Sequence, residues 1–240
     1  MKELEFEDVN VKYGNTPVLR DVSFSVENEE IVALIGRNGV GKTTLMKTAI
    51  GLLSPSTGTI KYQEEDITDK TADKRAGLGI GYVPQGRDVF PRLTVEENLR
   101  VGEQINDATV DTYTDPPFLY DDVYSFFPRL EERKNQKAGT MSGGERQMLA
   151  IGRALIGYPD LLLLDEPSEG VQPNIVDEIG ETVKRIRDKL AMTVLFVEQN
   201  LDFTTDTCDY GYVMKKGSIV DRYDSSDLED SEVVKQHITF

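Results

Sequence analysis

The run Ile31-Val32-Ala33-Leu34-Ile35-Gly36-Arg37-Asn38-Gly39-Val40-Gly41-Lys42-Thr43 decides the fold. Its first part is continuously apolar, as expected for a strand covered on both faces. Its second part fits G-x-x-x-x-G-K-[ST], a loop that cradles phosphates. Gly36, Gly39 and Gly41 let the backbone curl so that successive N–H groups point inward at phosphate oxygens. From Thr44 onward the pattern is helical, and that helix adds its positive end. Lys42 supplies a point charge for the β- and γ-phosphates, and the Thr43 hydroxyl can ligate Mg²⁺.

Working outward, Leu161-Leu162-Leu163-Leu164-Asp165-Glu166 reads as a second buried strand ending in adjacent acids. In an open α/β sheet, ligands bind beyond the carboxyl ends of the strands, so these acids should face the phosphates. Asp165 suits the magnesium shell, and Glu166 is placed to accept a proton from water attacking the γ-phosphate. Thr193 to Val197 is a further strand, and Ile80-Gly81-Tyr82-Val83 a short one ending at Pro84. Leu4, Phe6, Val9 and Val11, then Val22, Phe24 and Val26, sit near period-2 spacing, the mark of half-buried antiparallel strands.

Val176, Ile179, Val183, Ile186 and Leu190 mark an amphipathic helix. Thr94 and Glu97 form a capping-box match at the start of another. Ser54 to Gly58 reads as a turn, Lys215 to Ser218 as a hairpin turn, and Glu103 to Phe118 as the stretch least suited to order. Buried strands alternating with helices give an α/β fold. The whole chain, 1–240, reads as one domain. Residues 1–85 and 159–240 form its core, with an N-terminal antiparallel β subdomain, and residues 86–158 an inserted helical subdomain.

Composition narrows the partners. With 43 acidic against 27 basic residues the net charge is -16, which disfavours nucleic acid and anionic lipid. Such acidity fits either a protein kept soluble by its charge or one adapted to a salt-rich cytosol. Unfolding measured against KCl separates them, since equal stability at low salt excludes salt adaptation. No apolar run approaches bilayer length, and the acidic start Met1-Lys2-Glu3-Leu4-Glu5 is unlike a signal peptide, so a soluble, cytosolic protein is expected. The lone Cys208 excludes an internal disulfide and reads as a small core residue. The only histidine, His237, lies in the tail.

A third motif is narrower than the phosphate loop. In Met141-Ser142-Gly143-Gly144-Glu145-Arg146-Gln147, the residues Ser142 to Glu145 again fit a capping box. A capped helix with glycines at its mouth offers N–H groups and a positive dipole end to an anion. One chain already has its own phosphate loop, so this second anion site would serve another subunit's nucleotide.

Together these motifs resemble the ATP-binding subunits of ABC transporters, from Tyr13 to about Val220. The resemblance implies a P-loop NTPase (ABC ATPase) core that binds ATP with Mg²⁺. Its ATP contacts would be the loop from Gly36 through Arg37, Asn38, Gly39, Val40, Gly41, Lys42 and Thr43 to Thr44, with Tyr13 stacked on adenine. Gln85 would touch Mg²⁺ beside Thr43 and Asp165 and sense the membrane subunit, and Glu169-Gly170-Val171-Gln172 would couple two ATP sites. It also implies a head-to-tail dimer with an identical or related ATPase, in which Ser142, Gly143, Gly144 and Glu145 meet the partner's ATP. Closure on ATP would shift membrane permease subunits between conformations. A solute-binding protein would act indirectly, and the chain would sit on the inner face of the cell membrane.

Val197-Glu198-Gln199-Asn200, with Phe127-Pro128-Arg129-Leu130 and the flank Ala138-Gly139-Thr140, resembles the ATPases of branched-chain amino acid uptake. The phosphate loop, Tyr82-Val83-Pro84-Gln85-Gly86-Arg87 and Glu169 to Pro173 look closer to the urea and short-chain amide branch of that group. A soluble ABC ATPase outside transport is the alternative. Repair types insert a long coiled coil and translation types carry two copies of the domain, and neither feature is in this chain. A regulator that binds without hydrolysing would be expected to lack Glu166.

One position departs from the family pattern. Gln199 stands where a histidine usually contacts the γ-phosphate. Its amide can donate a hydrogen bond but carries no titrating charge. ATPase activity should therefore lack a transition at about pH 6–7 assignable to this position. A Gln199→His variant matching the parent in rate and pH dependence would show that the position matters little.

Overall fold

The computed structural model of the chain describes residues 1–106 and 120–230. Most of the Glu103 to Phe118 stretch, and His237, lie outside them. In chain order come β1 (Lys2–Tyr13), β2 (Thr16–Glu27), β3 (Ile31–Ile35), α1 (Lys42–Ala49), β4 (Thr57–Tyr62) and β5 (Glu65–Asp66). Then follow α2 (Ala72–Gly77), β6 (Ile80–Val83), α3 (Val95–Asn106), α4 (Tyr120–Phe126), α5 (Pro128–Glu132) and α6 (Gly143–Ile156). The rest is β7 (Leu161–Asp165), α7 (Pro173–Leu190), β8 (Thr193–Glu198), α8 (Leu201–Thr207), β9 (Tyr210–Lys215), β10 (Ser218–Asp224) and α9 (Ser225–Asp230).

The strands form two sheets. One runs β2-β1-β4-β5 and is antiparallel throughout; the other runs β10-β9-β3-β8-β7-β6. In the second sheet β9, β3, β8, β7 and β6 are parallel, and β10 adds an antiparallel edge. The apolar runs read from sequence divide by parity. Ile31, Ala33 and Ile35, with Leu162, Leu164, Val194 and Phe196, face a core shared with α6 and α7. Val32 and Leu34, with Leu161, Leu163, Leu195 and Val197, face α1 and the antiparallel sheet. A strand with both faces covered has no position for a polar residue until its end, which is why these runs are continuous.

The expected helices form. Ile175, Val176, Ile179, Val183 and Ile186 of α7 are buried against the sheet, and Leu190 packs at its edge. The Thr94 capping box is made in both directions: Thr94 N donates to Glu97 Oε2 at 2.7 Å, and Glu97 N to Thr94 Oγ1 at 3.2 Å. Cys208 is buried.

The turn expected at Ser54 to Gly58 is shorter than the sequence suggests. β4 already begins at Thr57, which pairs with Asn10 of β1. Gly58 has φ 93°, and a Cβ there would lie 2.5 Å from Asp8 O, so glycine permits the close approach of two strands rather than a turn. β4 and α2 carry no clear periodicity and are not legible in sequence.

Arg75 of α2 is the largest fully buried side chain. Its Nη1 donates to Thr48 O and Ala49 O, both at 2.8 Å, at the carbonyl end of α1. Nε donates to Lys70 O and Nη2 to Thr68 O, both at 3.0 Å. A cation at a helix C-terminus is favourable, and here it also anchors the far end of the phosphate-loop helix. Burial pushes the guanidinium down to about 10, so it stays charged at neutral pH. An Arg75→Met variant keeps volume but leaves these carbonyls without their donors. It should lose about 2–4 kcal/mol of unfolding free energy in a urea titration, and a loss under about 0.5 kcal/mol would mean that water replaces the guanidinium.

Candidate nucleotide site

Parallel order carries the ends of β3, β6, β7 and β8 to one edge of the sheet, where the phosphate loop, Gln85, Asp165, Glu166 and Gln199 lie. β3 gives way to Gly36, where a Cβ would lie 2.7 Å from Met214 O of the neighbouring β9. Gly39 and Gly41 have φ 83° and 117°, conformations that L side chains resist. Arg37, Asn38 and Gly39 are exposed, Val40 and Thr43 half-buried, and Gly41, Lys42 and Thr44 buried. Lys42 Nζ donates to Gly36 O at 2.7 Å, to Arg37 O at 3.3 Å and to Asn38 Oδ1 at 3.5 Å, so the lysine is folded within its own loop.

The acids at the end of β7 meet this loop. Thr43 Oγ1 donates to Asp165 Oδ1 at 3.2 Å, and the Tyr82 hydroxyl of β6 to Asp165 Oδ2 at 3.2 Å. Burial pushes the Asp165 carboxyl above its usual range, and the neighbouring Glu166 adds to that; the two hydroxyls and Lys42 oppose it. Glu166 forms an ion pair with Lys42, Oε1 to Nζ 3.1 Å, with both side chains almost wholly removed from solvent. Its backbone is left-handed, φ 51°, a strained choice for a side chain at a functional edge. Gln85, just after β6, donates from Nε2 to Glu166 Oε2 at 3.1 Å and to Glu169 Oε2 at 2.8 Å. Two contact groups, Thr43 with Asp165 and Lys42 with Glu166 and Gln85, thus lie side by side, joined through neighbouring residues of the chain.

Three candidates lie outside these groups. Tyr13 ends β1 and is 49% exposed, so it is a surface residue and not part of the core. Gln199 follows β8 with its side chain exposed. Its backbone N donates to Glu198 Oε2 at 3.0 Å. Ser142 caps α6: Glu145 N donates to Ser142 Oγ at 3.3 Å and Ser142 N to Glu145 Oε2 at 2.8 Å, a complete capping box. Glu145 is buried, which opposes its charge, but Ser142 and Arg133 hold its carboxyl below the usual range.

The two glycines at this helix mouth differ in kind. A Cβ on Gly143 would lie 3.2 Å from Gly170 O and 3.3 Å from Arg87 Nη1, at the open end. A Cβ on Gly144 would lie 2.5 Å from Ile175 Cγ2, so Gly144 lets α6 close on the first turn of α7. Arg87 also donates from Nη2 to Glu169 O, tying the segment after Gln85 to the loop after β7. Sequence reading passed over Arg87, Tyr82 and Glu198 as site residues. The available signal for Glu198 was an acid closing an otherwise apolar strand.

A profile of the family described as ABC transporter matches residues 19–169. The chain is 46% identical over 217 residues to the high-affinity branched-chain amino acid transport ATP-binding protein BraG of Pseudomonas aeruginosa, covering 90% of this chain and 91% of that protein. It belongs to the ABC transporter family. A second relative is the probable branched-chain amino acid transport ATP-binding protein LivF of Archaeoglobus fulgidus, 35% identical with 93% of each chain covered. Among solved structures, the ADP conformation of MJ1267, an ATP-binding cassette of an ABC transporter, superposes with TM-score 0.85 at 29% identity and complete coverage of both chains. The fold is therefore that of an ABC ATPase, and the chain is an ATP-binding ATPase of a transport system. No described helix is long and apolar enough to cross a membrane.

The residues fit the ligands that the family implies. The glycine loop starts hard against β9, where a Cβ at Gly36 would lie 2.7 Å from Met214 O, it turns through left-handed glycines at Gly39 and Gly41, and a buried lysine, Lys42, follows it. Among the described residues no cluster of His, Cys, Asp and Glu could hold a metal unaided. Mg²⁺ is bound through one or two protein groups, with phosphate oxygens and water completing its shell. Thr43 and Asp165, in mutual contact, offer such a pair.

Proposed function

We propose that this chain hydrolyses Mg²⁺-ATP to power uptake of branched-chain amino acids, as one of two ATPases in a membrane transporter. The observation that carries the hydrolytic reading is Glu166, held by Lys42 and Gln85 at the end of β7 beside Asp165 and Thr43. ATP supplies the γ-phosphoryl group, and Mg²⁺ the charge that neutralises it. Lys42 leaves Glu166 for the β- and γ-phosphates, which frees a carboxylate aimed at attacking water. Glu166 accepts the proton of that water as its oxygen bonds to the γ-phosphorus and the bond to the β-bridging oxygen breaks, releasing ADP and phosphate. Thr43, Asp165 and Gln85 hold the metal, Gln199 donates its amide N–H to the γ-phosphate, and Tyr13 stacks on adenine.

The helix mouth at Ser142, Gly143 and Gly144 serves the ATP of a second ATPase, identical or related, in a head-to-tail dimer. Glu145 keeps that mouth capped. Residues 86–158 form the arm that carries it, joined to a core of 1–85 and 159–240. The dimer docks on permease subunits at the inner face of the membrane, and a solute-binding protein acts through them. The net charge of -16 supports a protein partner over nucleic acid.

Branched-chain amino acids are favoured by the 46% identity to BraG. The motifs around Gln85 and Glu169 favour a second reading, urea or short-chain amides. In the assembled transporter, ATPase stimulation by leucine, isoleucine or valine supports the first, and stimulation by urea or acetamide selects the second. Glu166→Gln should slow hydrolysis at least about a hundredfold and trap an ATP-dependent dimer, read by size-exclusion chromatography with ATP. A variant as fast as the parent, or monomeric with ATP, would refute the base or the dimer respectively.

A further inference from the structure

β8 is apolar from Val194 to Val197 and closes on an acid, Glu198, which is only 3% exposed. No lysine or arginine among the described residues pairs with it. Its carboxylate instead accepts three backbone N–H groups from two separate segments. Ser168 N donates to Oε1 at 2.8 Å, while Gln199 N and Asn200 N donate to Oε2 at 3.0 Å and 3.2 Å. The Glu198 carbonyl meanwhile accepts from Gly36 N at 3.3 Å, at the entry to the phosphate loop.

Burying a carboxylate without a counter-ion is unfavourable unless donors compensate, and burial does push this carboxyl above its usual range against the Ser168 side chain and those three backbone donors. An apolar side chain would finish the strand more cheaply. What it could not do is join two loops. One oxygen grips the segment running from Glu166 through Ser168 to Glu169, and the other grips the segment of Gln199.

We propose that Glu198 is a positioning residue that holds the Glu166–Glu169 loop in register with Gln199, so that the base and the γ-phosphate donor move as one unit. This rests on the assignment of Glu166 and Gln199 to hydrolysis. A carboxylate accepts at both ends, whereas an amide of the same shape accepts at one end and presents N–H groups at the other. Glu198→Gln therefore sets a donor against a donor on one side of the clamp, and Glu198→Asp shortens the arm so that it cannot reach both segments.

The test is steady-state ATPase kinetics on the full chain, with thermal unfolding followed on the same samples. Both variants should keep KM for ATP within about twofold of the parent, because the phosphate loop binds through the Glu198 backbone and not its carboxylate. Their kcat should fall about ten- to a hundredfold at temperatures where they remain folded, the effect of misplacing a reacting group by a fraction of an ångström. In a Gln199→Ala background, Glu198→Gln should cost less than in the parent, since that unit is already broken.

Parent-like kcat in both variants overturns the proposal, as does full additivity with Gln199→Ala. Unfolding of both variants at the assay temperature assigns Glu198 a purely structural role and overturns it too. A slow Glu166→Gln beside unaffected Glu198 variants overturns this proposal alone, whereas a Glu166→Gln variant at the parent's rate overturns the base assignment beneath it.

Discussion

Burial of β3, β7 and β8 on both faces is the constraint from which the rest follows. A strand sandwiched between two apolar layers cannot carry polar chemistry along its length. Every functional group must then wait for the strand to end, and parallel order brings those ends to one edge. Gly36, Asp165 with Glu166, and Glu198 with Gln199 are each the first polar or flexible residues after an apolar run. The site is the place where the core stops.

At that edge the electrostatics are tightly packed. Lys42, Asp165 and Glu198 are all nearly removed from water, and each is compensated differently. Lys42 has three oxygens of its own loop and the Glu166 carboxylate. Asp165 has two hydroxyls, and Glu198 has backbone N–H groups together with the Ser168 side chain. Arg75 applies the same logic at the opposite end of α1, where carbonyls replace carboxylates. The phosphate-loop helix is held at its start by the site and at its end by a buried cation.

Much of this was legible in the sequence because the signals were local. The strands around the phosphate loop announce themselves by unbroken apolarity, and the caps at Thr94 and Ser142 by a hydroxyl and an acid at fixed spacing. What stayed hidden depends on contacts far apart in the chain. β4 is held by pairing with β1, and Gly58 serves the close approach of these paired strands rather than a turn because Asp8 lies against it. Arg75 looks like any surface arginine of a charged helix until its carbonyl partners arrive from α1. Gly144 carries two roles at once, and only the approach of Ile175 reveals the packing one. The Lys42–Glu166 pair joins residues from two motifs that sequence reading treated separately.

The left-handed backbone at Glu166 bears on which substitutions this position can explore. Asn, Asp and Gly enter that conformation readily, whereas β-branched residues do so at considerable strain. Drift away from glutamate is therefore channelled toward small polar residues and glycine, and steered away from Val, Ile and Thr by the main chain alone.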